Sequence, residues 1–134
     1  MSSKSAHFMA GVMLGGIAAY SGHDNFSAWQ VVTIFIGCLW GSSAPDWLEV
    51  SGWTWWGTRI SLIPHRTITH WMLGWMLLTG WSAIKASLIG SFWWCAAFGF
   101  CLSALTHVLM DYRTPMSVPV LHPYKRVRRR GGHR

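Results

Sequence analysis

The chain has 134 residues, enough for one domain, and charged residues are 11% of it, against about 25% in soluble domains. Hydrophobic residues make up 51% and tryptophan occurs 11 times, which excludes a disordered chain and a soluble multi-domain enzyme. Cys38, Cys95 and Cys101 are odd in number, lie in apolar stretches and lack CxxC spacing, so they read as reduced packing residues and not as a disulfide scaffold.

Charged residues divide the chain into long uncharged runs. Residues 5–23 lie between Lys4 and Asp24, 25–45 between Asp24 and Asp46, 67–84 between Arg66 and Lys85, and 86–110 between Lys85 and Asp111. A helix crossing the hydrocarbon core needs about 20 residues. The spacing therefore predicts an all-α polytopic membrane protein, a bundle of four transmembrane helices over 7–22, 28–44, 67–84 and 87–110. The mean hydropathy of +0.28 is low for such a protein because Trp, Gly and Ser depress the scale. Trp29, Trp40, Trp47, Trp53, Trp55, Trp56, Trp71 and Trp81 fall near the span ends, where amphipathic rings sit at the membrane interface.

The net charge of +7 is unevenly placed, with Lys125, Arg126, Arg128, Arg129, Arg130 and Arg134 all in the last ten residues. Two units follow: a four-span membrane domain over 1–124 and a basic tail over 125–134. Positive charge stays in the cytoplasm, so both termini and the loop over 45–66, with Arg59 and Arg66, are expected there. The tail is expected to meet anionic lipid headgroups. Nucleic acid is not an expected partner, because no folded reading surface accompanies the charge.

Ionisable groups gather at the same predicted face. His7 opens span 1, Asp46 and Glu49 follow span 2, His65, Arg66 and His70 open span 3, and His107 and Asp111 close span 4. Such groups near membrane depth are costly and are functional candidates by default. Imidazole and carboxylate together form the ligand set of zinc or a similar divalent metal. His107 and Asp111 are four apart and project from one helical face, as do Arg66 and His70 if the helix includes both. Small residues continue these stripes: Gly11 and Gly15 below His7, Gly37 and Gly41 before Asp46, Gly74 below His70, and Gly99 and Ser103 below His107. Small residues at this spacing let membrane helices approach closely, so the ligands are expected to point into the bundle.

Pro45-Asp46, the segment His65-Arg66-Thr67-Ile68-Thr69-His70, and His107-x-x-x-Asp111-x-x-Thr114 together resemble the YdjM-like family of bacterial inner-membrane proteins, described as metal-dependent hydrolases. The order His7, Asp46, His65, His107, Asp111 is more loosely similar to helical phosphoesterases of the zinc-dependent phospholipase C and nuclease P1 type. These resemblances imply a multi-pass protein of the bacterial inner membrane. They imply one or two divalent ions, zinc first with manganese or magnesium as alternatives, held by His7, Asp46, His65, His70, His107 and Asp111. The expected reaction is hydrolysis of a phosphoester, lipid-borne or cytosolic, by metal-activated water. Arg66 is the expected phosphate clamp, Glu49 a general base, and Thr67, Thr69 and Thr114 orienting residues. Two competing readings are a non-enzymatic membrane protein, holin-like or a scaffold, and a metal or proton transporter. Transporters place such residues near the bilayer midplane.

Overall fold

Glycine, proline and serine, more than the charges, set the element boundaries. The structure, a computed structural model, describes residues 4–48, 51–53, 56, 59–61, 68–112 and 118–121. The order is α1 (Lys4–Gly22), α2 (Ala28–Gly41), α3 (Ala44–Trp47), β1 (Ser51–Trp53), β2 (Arg59–Ser61), a 3-10 turn (Ile68–His70), α4 (Met72–Ile89) and α5 (Phe92–Tyr112). Glu49, His65, Arg66, Thr67, Thr114 and the tail over 125–134 lie outside the described residues.

Helix α2 starts at a capping box. Gln30 Oε1 accepts the Ser27 backbone N–H at 2.8 Å, and Gln30 Nε2 donates to the Gly90 carbonyl at 2.7 Å. One side chain thus caps α2 and ties its start to the end of α4. The helix stops at Gly41, three residues short of the expected 44, because Pro45 has no N–H to give it and instead sits in the first turn of α3. Asp46 therefore rides on a separate one-turn helix. Between α3 and the 3-10 turn, Ser51 pairs with Ser61 and Trp53 with Arg59 in a short antiparallel ladder, an addition to the all-helical expectation.

The third span departs most from the sequence expectation of 67–84. His70 lies in the 3-10 turn, Trp71 is extended (φ −73°, ψ 105°), and α4 runs from Met72 to Ile89. His70 therefore sits in a separate turn ahead of α4 and not on the helix expected over 67–84. The first free N–H groups of α4 are satisfied from elsewhere: Met72 donates to the Pro119 carbonyl at 3.1 Å and Leu73 to that of Val120 at 3.2 Å. Lys85 lies inside α4 and not in a loop, with Nζ 5.1 Å from the Trp81 ring centre. Its flexible stem lets the ammonium reach along the helix, and Gly90, at φ 64°, ends the helix five residues later.

Helices α2 and α5 form the closest pair. A Cβ on Gly41 would strike the Phe100 carbonyl, one on Gly37 the Ala96 carbonyl, and one on Gly99 the Ile34 carbonyl. Gly11 of α1 lies against Cys38 and Ser42, where a Cβ would come within 2.6 Å of the Ser42 Cβ. The bundle interior carries Thr33, Ser42, Thr79, Ser82 and Ser103 alongside apolar residues, while Met13, Ile17, Trp40, Leu77, Trp81 and Trp93 face outward. Thr33, Thr79 and Ser82 satisfy their hydroxyls by donating to carbonyls four residues back. Cys38 and Cys95 are buried, and none of the three cysteines is disulfide-bonded.

Among the described residues two helices, Met72–Ile89 and Phe92–Tyr112, are long and apolar enough to cross a membrane, where four spans were expected. α2 is apolar but has only 14 residues, because the Ser42-Ser43 turn cuts it short, and the run of α1 is diluted by Lys4, His7 and small residues.

The close pairing yields a contrast. Gly99→Val should lower stability by about 3 kcal/mol, since the Ile34 backbone cannot yield. Gly80→Ala, whose Cβ meets nothing within 4 Å, should be neutral or stabilising by up to about 1 kcal/mol. Thermal unfolding in detergent reads both, and equal melting temperatures for Gly99→Val and the native chain would contradict the packing.

Candidate metal centre

Five of the expected residues meet at one end of the bundle. His7 comes from the first turns of α1, Asp46 from α3, His70 from the 3-10 turn, and His107 and Asp111 from the last turns of α5. Two groups have ligand atoms mutually within 4.8 Å: His7, His107 and Asp111, and Asp46, His70 and His107. His107 belongs to both.

Across the same small space Asp46 faces two imidazoles and Asp111 three. Asp46 Oδ1 lies 3.6 Å from His70 Nε2 and 3.5 Å from His107 Nε2. Asp111 Oδ2 lies 3.6 Å from His70 Nε2 and 3.9 Å from His107 Nε2. The other oxygen of Asp111, Oδ1, is 3.6 Å from His7 Nε2. Asp111 thus turns one oxygen towards each group. The His7 and His107 rings stack with centroids 3.8 Å apart.

The outer edge of His107 fixes its ring. Its Nδ1 is 2.7 Å from the Ser42 carbonyl, which can only accept, so Nδ1 carries the proton and donates. Nε2 is then left with its lone pair, buried and without a hydrogen-bond partner among the described residues. This is the arrangement in which a metal-ligating histidine is held, its other nitrogen bound to a backbone carbonyl. The Thr69 hydroxyl lies 3.2 Å from His70 Nδ1 and fills the equivalent place there. The Thr69 carbonyl in turn accepts from Trp75 Nε1 at 2.7 Å, anchoring the 3-10 turn to α4.

Burial differs across the cluster. His7, His70, His107 and Asp111 are all nearly inaccessible, whereas the Asp46 side chain is 42% exposed. Of the five, only Asp46 opens to the surface. The His107 and His70 imidazoles, 3.5 and 3.6 Å from Asp46 Oδ1, hold its carboxyl well below the usual carboxylate range, outweighing the opposing effect of burial. It stays ionised throughout the neutral and mildly acidic range and is a ready ligand.

Thr69 was expected among the orienting residues and occupies that position for His70. The Ser42 carbonyl was missed, because a backbone oxygen has no signature in a motif. The return of Val118 and Pro119 into the core was missed as well. Its only signal is the apolar Val118-Pro119-Val120 run after the last charged turn.

A helical bundle with apolar outward faces and a buried histidine–carboxylate cluster at one end defines a membrane protein with a possible metal centre. A family model described as YdjM inner membrane protein matches residues 1–133, so the chain belongs to that family. Comparison with curated proteins and with solved structures finds no match.

The Ser42 bond makes a prediction about the metal-free protein. In nitrogen-15-labelled histidine spectra at mildly alkaline pH, His107 should show the Nδ1–H tautomer, assigned by loss of its signals in His107→Gln. An Nε2–H tautomer would mean that the lone pair does not face the cluster.

Proposed function

We propose that the protein is a membrane-bound, metal-dependent hydrolase of a phosphoester. The observation that carries this reading is His107, whose ring is fixed by the Ser42 carbonyl so that a buried Nε2 faces two carboxylates and two further imidazoles. Ligands about 2.0–2.1 Å from a tetrahedral ion stand about 3.3 Å apart, and cis ligands of an octahedral magnesium about 3.0 Å. The spacings of 3.5–3.9 Å suit the tetrahedral case better, as does the imidazole content. His7 and Asp111 Oδ1 would hold a second ion beside the one that Asp46, His70, His107 and Asp111 Oδ2 would hold.

A bound divalent ion supplies Lewis acidity and lowers the pKa of its water towards neutrality. The chain's residues do the rest. Asp46, His70, His107 and Asp111 hold the ligand geometry, and the half-exposed side of Asp46 admits substrate. Arg66, four residues before His70, binds phosphate oxygens with its planar fork, and Glu49, three after Asp46, accepts a proton. No pairing of a Ser or Cys nucleophile with a base suggests itself in the sequence, which favours water as the attacking group.

The same reading sets all four long helices in the inner membrane. Helices α1 and α2 both pack on α5, and a bilayer crossed by α4 and α5 would enclose them. Their outward residues, among them Phe8, Met13, Ile17 and Ile36, are apolar and exposed, as a lipid-facing surface requires. The basic tail then keeps both termini, and the ligand cluster, at the cytoplasmic face. A site at one end of the bundle suits hydrolysis better than transport, which needs ligands near the midplane.

Purified native protein should retain zinc after dialysis and His107→Ala should not. With zinc or manganese added, the native chain should hydrolyse one member of a panel of phosphatidic acid, polyprenyl phosphates and nucleotides. Retained metal in His107→Ala, or metal binding without hydrolysis of any phosphoester, would overturn the proposal. Arg66→Lys should keep metal content yet lower kcat/KM at least tenfold, a loss of about 1.4 kcal/mol in transition-state binding. Full turnover in Arg66→Lys would reduce Arg66 to a topological anchor. A periplasm-dependent reporter fused after Arg134 should stay silent, and activity there would reverse the orientation.

A further inference from the structure

We infer that the groove beside the 3-10 turn holds the hydrocarbon chain of a membrane lipid whose phosphate lies at the histidine–carboxylate cluster. This rests on the hydrolase reading and narrows its substrate to a lipid-borne phosphoester.

The groove has a volume of about 600 Å³, in the range of small-molecule sites. It is walled by Leu48, Ile68, Thr69, Trp71 and Trp75 and continues to Leu77 and Leu78. Its polar end is defined by chain connectivity. Leu48 is two residues after Asp46, and Ile68 and Thr69 immediately precede His70. Thr69 belongs to both places, lining the groove while its hydroxyl meets His70 Nδ1 at 3.2 Å. From Trp71 to Leu78 the groove follows two turns of α4, about 10 Å along a helix that can itself cross a membrane.

Chemistry selects the occupant. The cluster end offers cationic character once metal is bound and takes an anionic phosphate, and the remainder offers hydrocarbon walls with Thr69 as the sole hydroxyl. A molecule satisfying both ends has a phosphate head and an apolar chain. A nucleotide would place a polar base and ribose against Leu77 and Leu78, which costs desolvation without return. Neither groove is lined by a cluster ligand itself, but a second one of about 520 Å³, between α2 and α5 at Ile36, Trp40 and Trp93, also has no chain neighbour of a ligand in its lining and serves as an internal control.

The test uses the full zinc-loaded chain in phosphatidylcholine nanodiscs with dodecylphosphonate carrying a diazirine on its chain. Labelling should enter residues 68–78 at least tenfold above the Ile36–Trp93 groove. It should fall when metal is stripped, when excess ethylphosphonate is added, and in Leu77→Trp or Leu78→Trp, both outward positions where a larger ring fills the groove. Equal labelling of the two grooves, or photocrosslinks placing a second copy of the chain in this one, would overturn the assignment. In parallel, kcat/KM for dodecyl phosphate should exceed that for ethyl phosphate at least tenfold, and the ratio should collapse towards one in Leu77→Trp. Selective phosphonate labelling with no turnover of either ester would leave the groove assigned and defeat the hydrolase reading. Equal turnover of both esters with scattered labelling would do the reverse.

Discussion

The hydrogen bond from His107 to the Ser42 carbonyl joins the fold to the site. It exists because α2 ends where it does and because α2 and α5 bring their backbones together at three glycines. Gly37, Gly41 and Gly99 remove the Cβ atoms that would hold the two backbones apart. The freed carbonyl at the end of α2, one of those a helix terminus leaves unsatisfied, then reaches the imidazole one turn before Asp111. Pro45 completes the arrangement by forcing the chain to restart, so that α3 carries Asp46 across the same opening. A longer α2 would carry Asp46 on along its own axis, away from His70.

The bundle mixes small polar residues among the apolar ones inside and is apolar outside. Hydroxyl side chains of Thr33, Thr79 and Ser82 bond their own helices, which lets them pack inside without a partner across the interface. The outward faces of the same helices carry Trp40, Leu77, Trp81 and Trp93. That distribution explains a mean hydropathy of only +0.28 in a member of an inner membrane protein family: much of the interior is Gly, Ser and Thr.

Much of the site was legible in the sequence because its signals are side chains at fixed spacing. His107 and Asp111 are four apart on a helix, and His7, Asp46 and His70 each sit at the end of an uncharged run on the matching side. The helix boundaries were less legible, since charge gaps mark where a helix is permitted and not where it starts. Lys85 fell inside α4 because a flexible cation tolerates a helix end, whereas Trp71 adopted an extended conformation that no composition rule indicates. Contacts made by backbone oxygens, such as Ser42 to His107 and Pro119 to Met72, left no mark in the residue pattern at all.

Histidines and carboxylates, and not the thiols, would hold the metal, and X-ray absorption at the zinc edge of the loaded protein separates the two. Nitrogen and oxygen scatterers at about 2.0–2.1 Å, with the outer-shell signature of at least two imidazoles and no sulfur, are expected. A sulfur shell at about 2.3 Å would place the metal on Cys38, Cys95 or Cys101, and a shell of water oxygens without imidazole would mean that the cluster does not hold it.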